Sequence, residues 1–341
     1  MQRGLTAPAA SAEALPGHRL PVTQPPPRGA PPRPDGARPD PAPSNPGSTM
    51  SVVVPSALLP ASAAPAFRGR IGRSADSGHY AVPHRYRLHL APADPDCLGL
   101  AVTHGLLGLD ATLPLRLLPE LPDAADGSYT ALRPLYEAGA HLYTGPATAP
   151  VLGDAWTGRI VSNHAPDILR DLALRFRGDG PDLLPEEHHA EIDGLAALCA
   201  DGVHRAAQRA GELGLHPDAD ARREAEDALG TLFAALAALD ARLTGRPYLL
   251  GSAPTLADVH VWGALLRLDT VHRWHLDAAA LHRVAGYRTL WAYAQRHAAH
   301  PAFARHLDVD AVLRRHRAHC RGREAAGAAI RIVDWGGGTD G

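Results

Sequence analysis

From Phe67 onward, the placing of apolar side chains gives the chain two successive textures. Over 84–90, His84-Arg85-Tyr86-Arg87-Leu88-His89-Leu90, bulky and polar residues alternate with the period of a strand that buries one face. Over 95–109 the apolar positions Leu98, Ala101, Val102, Leu106 and Leu109 recur near helical spacing, and Gly108 falls where a helix would stop. Alternation returns over 112–118, so the opening reads β-α-β. After a long loop through Gly127, short strands are expected at 149–152 and 159–161, joined by a turn at Gly153-Asp154. Pro150 begins the first of these, a position that asks no ladder donor of it. A helix over about 164–176 completes a β-β-α unit. This order is that of a thioredoxin-like domain, placed at 67–180.

Beyond Pro185 the pattern is almost wholly helical. Helices are expected over 186–211 and 221–243, the second with an apolar stripe at Leu229, Leu232, Phe233, Leu236 and Leu239, which reads as core. Thr255-Leu256-Ala257-Asp258 has the spacing of a capping box and should open another helix. Helices over 287–297 and 303–316 close an all-α domain placed at 186–320.

Outside these domains, residues 1–66 are dominated by Pro, Ala, Gly, Ser and Arg, and cannot bury enough apolar surface to offset their ordering entropy. They are expected to be disordered. Met50, the second of two methionines, is either the true start of translation or an internal residue of a flexible tail. The stretch 321–341 is expected to be a flexible tail.

Composition then excludes some partners. A formal net charge of −2 gives no overall electrostatic case for nucleic acid or an acidic membrane surface. No apolar run reaches the roughly 18 residues of a membrane span. Cys97, Cys199 and Cys320 are an odd, widely spaced trio, better suited to a reducing cytosol than to a disulfide framework, so a cytoplasmic location is expected.

A series of short motifs carries a more specific reading. In order they are Phe67-Arg68-Gly69-Arg70-Ile71, Arg85-Tyr86-Arg87-Leu88, Arg133-Pro134-Leu135-Tyr136, Tyr143-Thr144-Gly145 and Ala149-Pro150-Val151-Leu152. Glu191-Ile192-Asp193, Gly202-Val203-His204-Arg205-Ala206, Tyr248-Leu249-Leu250-Gly251, Leu256-Ala257-Asp258 and Arg267-Leu268-Asp269 follow, then Tyr287, Leu290-Trp291 and His300-Pro301. Together they resemble the Xi-class glutathione transferases, the glutathionyl-hydroquinone reductases, over about 67–320. The resemblance implies a thioredoxin-like domain, an all-α glutathione-transferase C-terminal domain and a homodimer.

It also implies a chemistry that this chain interrupts. In that family a Cys-Pro-Trp motif starts the first helix, and its thiolate attacks the sulfur of a glutathionyl-hydroquinone; a second glutathione regenerates it. Here Asp94, Pro95 and Asp96 hold those three positions. A carboxylate cannot form a mixed disulfide, whereas Asp94 as N-cap and Pro95 as first helical residue suit a helix start without catalysis. Asp94 remains a candidate for a polar ligand contact or a catalytic role. Cys97, three positions on, is the substitute nucleophile, favoured by the helix dipole and disfavoured by the charges of Asp94 and Asp96.

For the cofactor, glutathione or another low-molecular-weight thiol, the resemblance points to Pro150 with the backbone beside it at Val151. It also points to His164 and Ala165, where relatives carry a Glu-Ser pair for the γ-glutamyl group. Tyrosines that contact the quinone match His204, His272 and His316. A metal site at His316, His319 and Cys320 is disfavoured by Arg314, Arg315 and Arg317, and no metal is expected. Three readings follow: a divergent member that has lost thiol transfer and retains a pocket for a small apolar or quinone-like ligand, an active thiol transferase using Cys97 with a non-glutathione thiol, and a non-catalytic dimeric scaffold or regulator.

Overall fold

The computed structural model describes residues 67–176, 178–320, 324–325 and 331–335. The proline-rich stretch 1–66 with Met50, and the end from Gly336, lie outside the described residues. Strands β1 (Tyr86–Leu90), β2 (Leu115–Leu117), β3 (Val151–Asp154) and β4 (Arg159–Ser162) form one sheet in the order β2-β1-β3-β4. The parallel pair β1 and β2 is joined across the sheet by helix α1 (Pro95–Leu106), as parallel pairing requires, and β3 and β4 are antiparallel. Tyr86, Leu88 and Leu90 are fully buried, so the alternation seen in the sequence is the buried face of the central strand.

Two local expectations are corrected here. Gly153 and Asp154 belong to β3, and the turn is 155–158, with Gly158 supplying a left-handed residue at φ 68°. Asp154 stays extended because its buried carboxylate accepts from Arg85 at 2.8 Å and from the Trp156 N–H at 3.0 Å, so it shapes the turn from the strand before it. Helix α2 (Arg133–Gly139) occupies a stretch for which no element was expected, and its buried Tyr136 donates to the Thr148 carbonyl and accepts from Asn163. Helix α3 (Ala165–Arg175) follows β4 as expected.

The helical part begins with one run of three segments: α4 (His189–Ala197), a π-helical stretch over Leu198–Arg205, and α5 (Ala206–Gly214). Gly202 sits in the wide turns, where an added Cβ would come within 2.8 Å of Ala235 on α6 (Ala219–Leu243). The glycine lets these two helices approach. On α6, Leu232, Phe233, Leu236 and Leu239 are buried and Leu229 is half-buried.

Helix α7 (Leu256–Thr270) is the core helix, with Val261, Trp262, Leu265, Leu266 and Leu268 fully buried. Its capping box forms as the sequence indicates. Asp258 accepts from the Thr255 N–H at 2.8 Å, and its other oxygen accepts from the Leu249 N–H at 3.0 Å and the Tyr293 hydroxyl at 2.9 Å. After α8 (Ala278–Ala285) and α9 (Arg288–Ala298), the single helix expected over 303–316 is instead α10 (Pro301–Ala304) and α11 (Val309–His319). The break falls at Asp308, whose carboxylate accepts from the Ala311 N–H at 2.8 Å and starts a new helix.

Residues 331–335, inside the stretch expected to be flexible, are packed. Val333 and Trp335 are buried, and the Trp335 indole donates to Asp269 at 2.8 Å, which satisfies a carboxylate that α7 would otherwise bury without that partner. Among the described residues, no helix is long and apolar enough to cross a membrane.

Candidate functional site

Strand register gathers the pieces of the site at one edge of the sheet. Val151, the first residue of β3, pairs with His89 near the end of β1, and Ser162 at the end of β4 pairs with Leu152. The end of β1 feeds α1, the end of β4 feeds α3, and the Ala149–Pro150 bond, which is cis, leads into β3. The starts of α1 and α3 and the residue after Pro150 therefore share one edge. Pro95, Asp96 and Ala165 also line one cleft of about 550 Å³, whose far wall is the π-helical stretch and α7.

At the start of α1, Asp94 is the N-cap. Its Oδ1 accepts from the Asp96 N–H at 2.9 Å and the Cys97 N–H at 3.5 Å, with Pro95 as the first helical residue. Its Oδ2 lies 3.2 Å from the Arg315 guanidinium of α11, which also donates to the Tyr129 hydroxyl and the Glu120 carbonyl. Asp96 is held in turn by Arg267 of α7 at 2.8 Å. Each aspartate has its own arginine, yet at Cys97 the charges of Asp94 and Asp96 still act against the thiolate, with Asp94 outweighing the opposing pull of Arg315.

Cys97 makes a poor nucleophile. Its side chain is fully buried. Burial is the main cause that holds the thiol well above its ordinary value, Asp94 adds to it, and the opposing pull of Arg315 is smaller. A helix N-terminus lowers a thiol pKa only where the anion can be solvated or paired, and here desolvation wins. Cys199 lies on the cleft wall within the π-helical stretch, and burial pushes its thiol up to about 12.

The groups matched to a thiol cofactor are placed as follows. Val151 is buried at the start of β3. His164 is the N-cap of α3 without a side-chain cap bond; its Nδ1 lies 3.0 Å from Asp167, which Arg68 also holds. Ala165 faces the cleft with a methyl group. Neither a free carboxylate for the ligand amine nor a hydroxyl for its carboxylate stands at positions 164 and 165.

The three histidines matched to quinone-contacting tyrosines part company. His204 faces the cleft, with its Nδ1 2.7 Å from Nε2 of the buried His272 behind it and its Nε2 3.4 Å from Arg267. Burial, aided by Arg267, lowers His204 to about 4, so the ring is neutral near pH 7. His316 places its Nε2 3.0 Å from His275 Nε2, and both of these rings lie near enough to His272 to act on it. The rest of the cleft is lined by small apolar groups such as Ala197, Ala200, Gly263 and Ala264, with His260 as a further polar group. Arg315, Arg267 and His260 were not singled out as site residues from the sequence. Arg315 and Arg267 stand 221 and 171 positions from the aspartates they hold, and no local signal links them.

Comparison with known proteins bears on the fold that carries this site. The family described as "Glutathione S-transferase, C-terminal domain" matches residues 206–308. The glutathionyl-hydroquinone reductase PcpF of Sphingobium chlorophenolicum is 29% identical over 279 residues, covering 76% of this chain and 85% of that protein. The glutathionyl-hydroquinone reductase YqjG of Escherichia coli is 26% identical over 260 residues, covering 71% and 77%. Among solved structures, the Xi glutathione-S-transferase of Phanerochaete chrysosporium superposes with a TM-score of 0.61 at 25% identity, covering 74% of this chain and 90% of that one. The chain has the glutathione-transferase fold, and within that fold it resembles the Xi-class enzymes, the glutathionyl-hydroquinone reductases.

Proposed function

We propose that this chain is a divergent glutathione-transferase-fold protein that no longer carries out glutathionyl-hydroquinone reduction and instead binds a small apolar or quinone-like ligand in its interdomain cleft. The observation that carries the reading is the state of the α1 N-terminus. Asp94, which the resemblance matches to the family's nucleophile, is engaged as a cap and by Arg315, while Cys97 is buried. A carboxylate has no route to a mixed disulfide, and a desolvated thiol has little thiolate to attack with. Glutathione is the thiol that the relatives' names favour, but the γ-glutamyl anchors are replaced by His164 and Ala165.

The cleft supports the binding half of the reading. Its walls are small and apolar, and its polar groups, Asp96, Arg267, His204 and His260, leave room for a ligand with an apolar body and one hydrogen-bonding end. The chain would act as a homodimer, as the resemblance implies. Incubating the purified protein with a glutathionyl-hydroquinone and glutathione tests the first half, and no hydroquinone release above the uncatalysed rate is expected. Thermal unfolding with a panel of quinones and hydroquinones tests the second. A raised Tm with at least one of them is expected, and no shift with any would favour the scaffold reading.

A further inference from the structure

One layer behind the cleft, three side chains with metal-binding atoms converge. His275, on the segment between α7 and α8, places its Nε2 3.0 Å from Nε2 of His316 on α11 and 3.3 Å from Sγ of Cys320 at the end of α11. All three ligand atoms lie within 4.8 Å of one another. We propose that His275, His316 and Cys320 form a three-ligand site for a borderline-soft divalent cation of the zinc class, with its fourth position left to water.

The donor set and spacing fit that ion. Two imidazole nitrogens and a thiolate suit zinc, and a tetrahedral ion with Zn–N near ~2.05 Å and Zn–S near ~2.3 Å separates its donors by roughly 3.3–3.6 Å. The observed 3.0 and 3.3 Å open by a few tenths of an ångström, and the His316–Cys320 pair, within 4.8 Å, closes by up to about 1.2 Å to meet that geometry. His275 and His316 are buried, so the site is walled on the protein side, whereas Cys320 is half-exposed and gives the ion a way in. Among the described residues, His316 Nδ1 has no hydrogen-bond partner, so nothing there fixes its tautomer, and Nε2 is able to present a lone pair.

Electrostatics, which argued against a metal from the sequence, change once the arginines are placed. Arg314 is paired with Glu120 and Arg315 with Asp94, while Arg317, over the Trp274 ring at 4.5 Å, still bears on His316 with its charge. The carboxyl end of α11, where Cys320 sits, adds the negative pole of a helix dipole. On binding, the ion takes a lone pair from one nitrogen of each imidazole and from the sulfur, and the protons those atoms carried, that of Cys320 included, leave to solvent. Redox change is not involved. His319, adjacent in sequence, takes no part: its Nδ1 lies against the Arg315 carbonyl at 2.8 Å.

The test is a Zn²⁺ titration of the full-length protein, first stripped with a chelator, against a chromogenic competitor, together with Co²⁺ as a spectroscopic probe. One equivalent per chain is expected, with a Kd at or below about 1 μM, together with tetrahedral d–d bands and a thiolate-to-cobalt charge-transfer band. Cys320→Ser should abolish that band and weaken Zn²⁺ binding by about 10–100-fold or more, with the far-ultraviolet circular dichroism unchanged. His316→Ala should weaken binding similarly, while His319→Ala should leave it as it is. No Zn²⁺ binding, or a charge-transfer band that survives Cys320→Ser, overturns the proposal. Loss of binding in His319→Ala with His275→Ala unaffected would also overturn it.

Discussion

The carboxylate of Asp94 is held between the backbone of α1 and the guanidinium of Arg315, 3.2 Å away and 221 residues on. One oxygen closes the helix start and the other ties the thioredoxin-like domain to the last helix of the all-α domain. Removing both contacts should cost more than a cap alone. Asp94→Ala is expected to destabilise the protein by about 2 kcal/mol, since a cap contributes about 1 kcal/mol and the half-buried guanidinium loses an anion. Asp94→Asn, which retains the acceptor, should cost less than half as much. Equal losses in urea unfolding of the two variants would mean that the ion pair, not the cap, dominates.

Cys97 should react slowly. Alkylation in the native protein at pH 7.5 is expected to be slower than that of a free thiol, because burial keeps the group protonated. Its folded pKa is raised above the unfolded value of about 8.5, so above that pH the unfolded chain releases a proton that the folded chain keeps. Stability should therefore fall as pH rises past about 8.5, and Cys97→Ser should flatten part of that fall. A rate faster than that of glutathione under the same conditions would contradict the reading.

His204 gives the opposite limb. Its pKa is lowered to about 4 in the fold, chiefly by burial, against about 6.5 when unfolded. Below about 6.5 the unfolded chain binds a proton that the folded chain refuses, so stability should be lost as pH falls from there toward about 4. The buried His272, lowered for the same cause, adds to it. His204→Gln should reduce the slope of the unfolding free energy between pH 6.5 and 4.5, and an unchanged slope would show that His204 is already protonated.

Asp258 is a sensitive position in the helical domain, since its buried carboxylate serves several donors at once. Asp258→Ala strands two backbone N–H groups and the Tyr293 hydroxyl in a fully buried place. At about 1–3 kcal/mol for each unsatisfied group, a loss of at least about 3 kcal/mol is expected, read as a fall in Tm of several degrees. Asp258→Asn should recover part of it, since one acceptor oxygen remains.

These positions also mark where the sequence was informative. Helix starts at Asp94-Pro95 and Thr255–Asp258 were readable because a cap acts over three or four residues. The pairings of Asp94 with Arg315 and Asp96 with Arg267 were not, because nothing in a local pattern says which distant arginine arrives. For the same reason the sequence did not show that His204 meets His272, or that His316 meets His275. Helices α2 and α8 passed unseen, being only 7 and 8 residues long, too short for the 3.6-residue period to register. The Gly153-Asp154 turn signal is right in kind and displaced by two residues, since the Asp154 side chain turns the chain that follows it.

The central claim is that thiol transfer stops at position 94. Its most direct measurement is hydroquinone release from a glutathionyl-hydroquinone with excess glutathione, run on the native protein, on Cys97→Ala and on Asp94→Cys. The account predicts no turnover above background for the first two. In Asp94→Cys, a thiol placed at the helix start, where the native carboxylate lies 3.2 Å from Arg315, should gain measurable release. Turnover by the native protein that disappears in Cys97→Ala would contradict it.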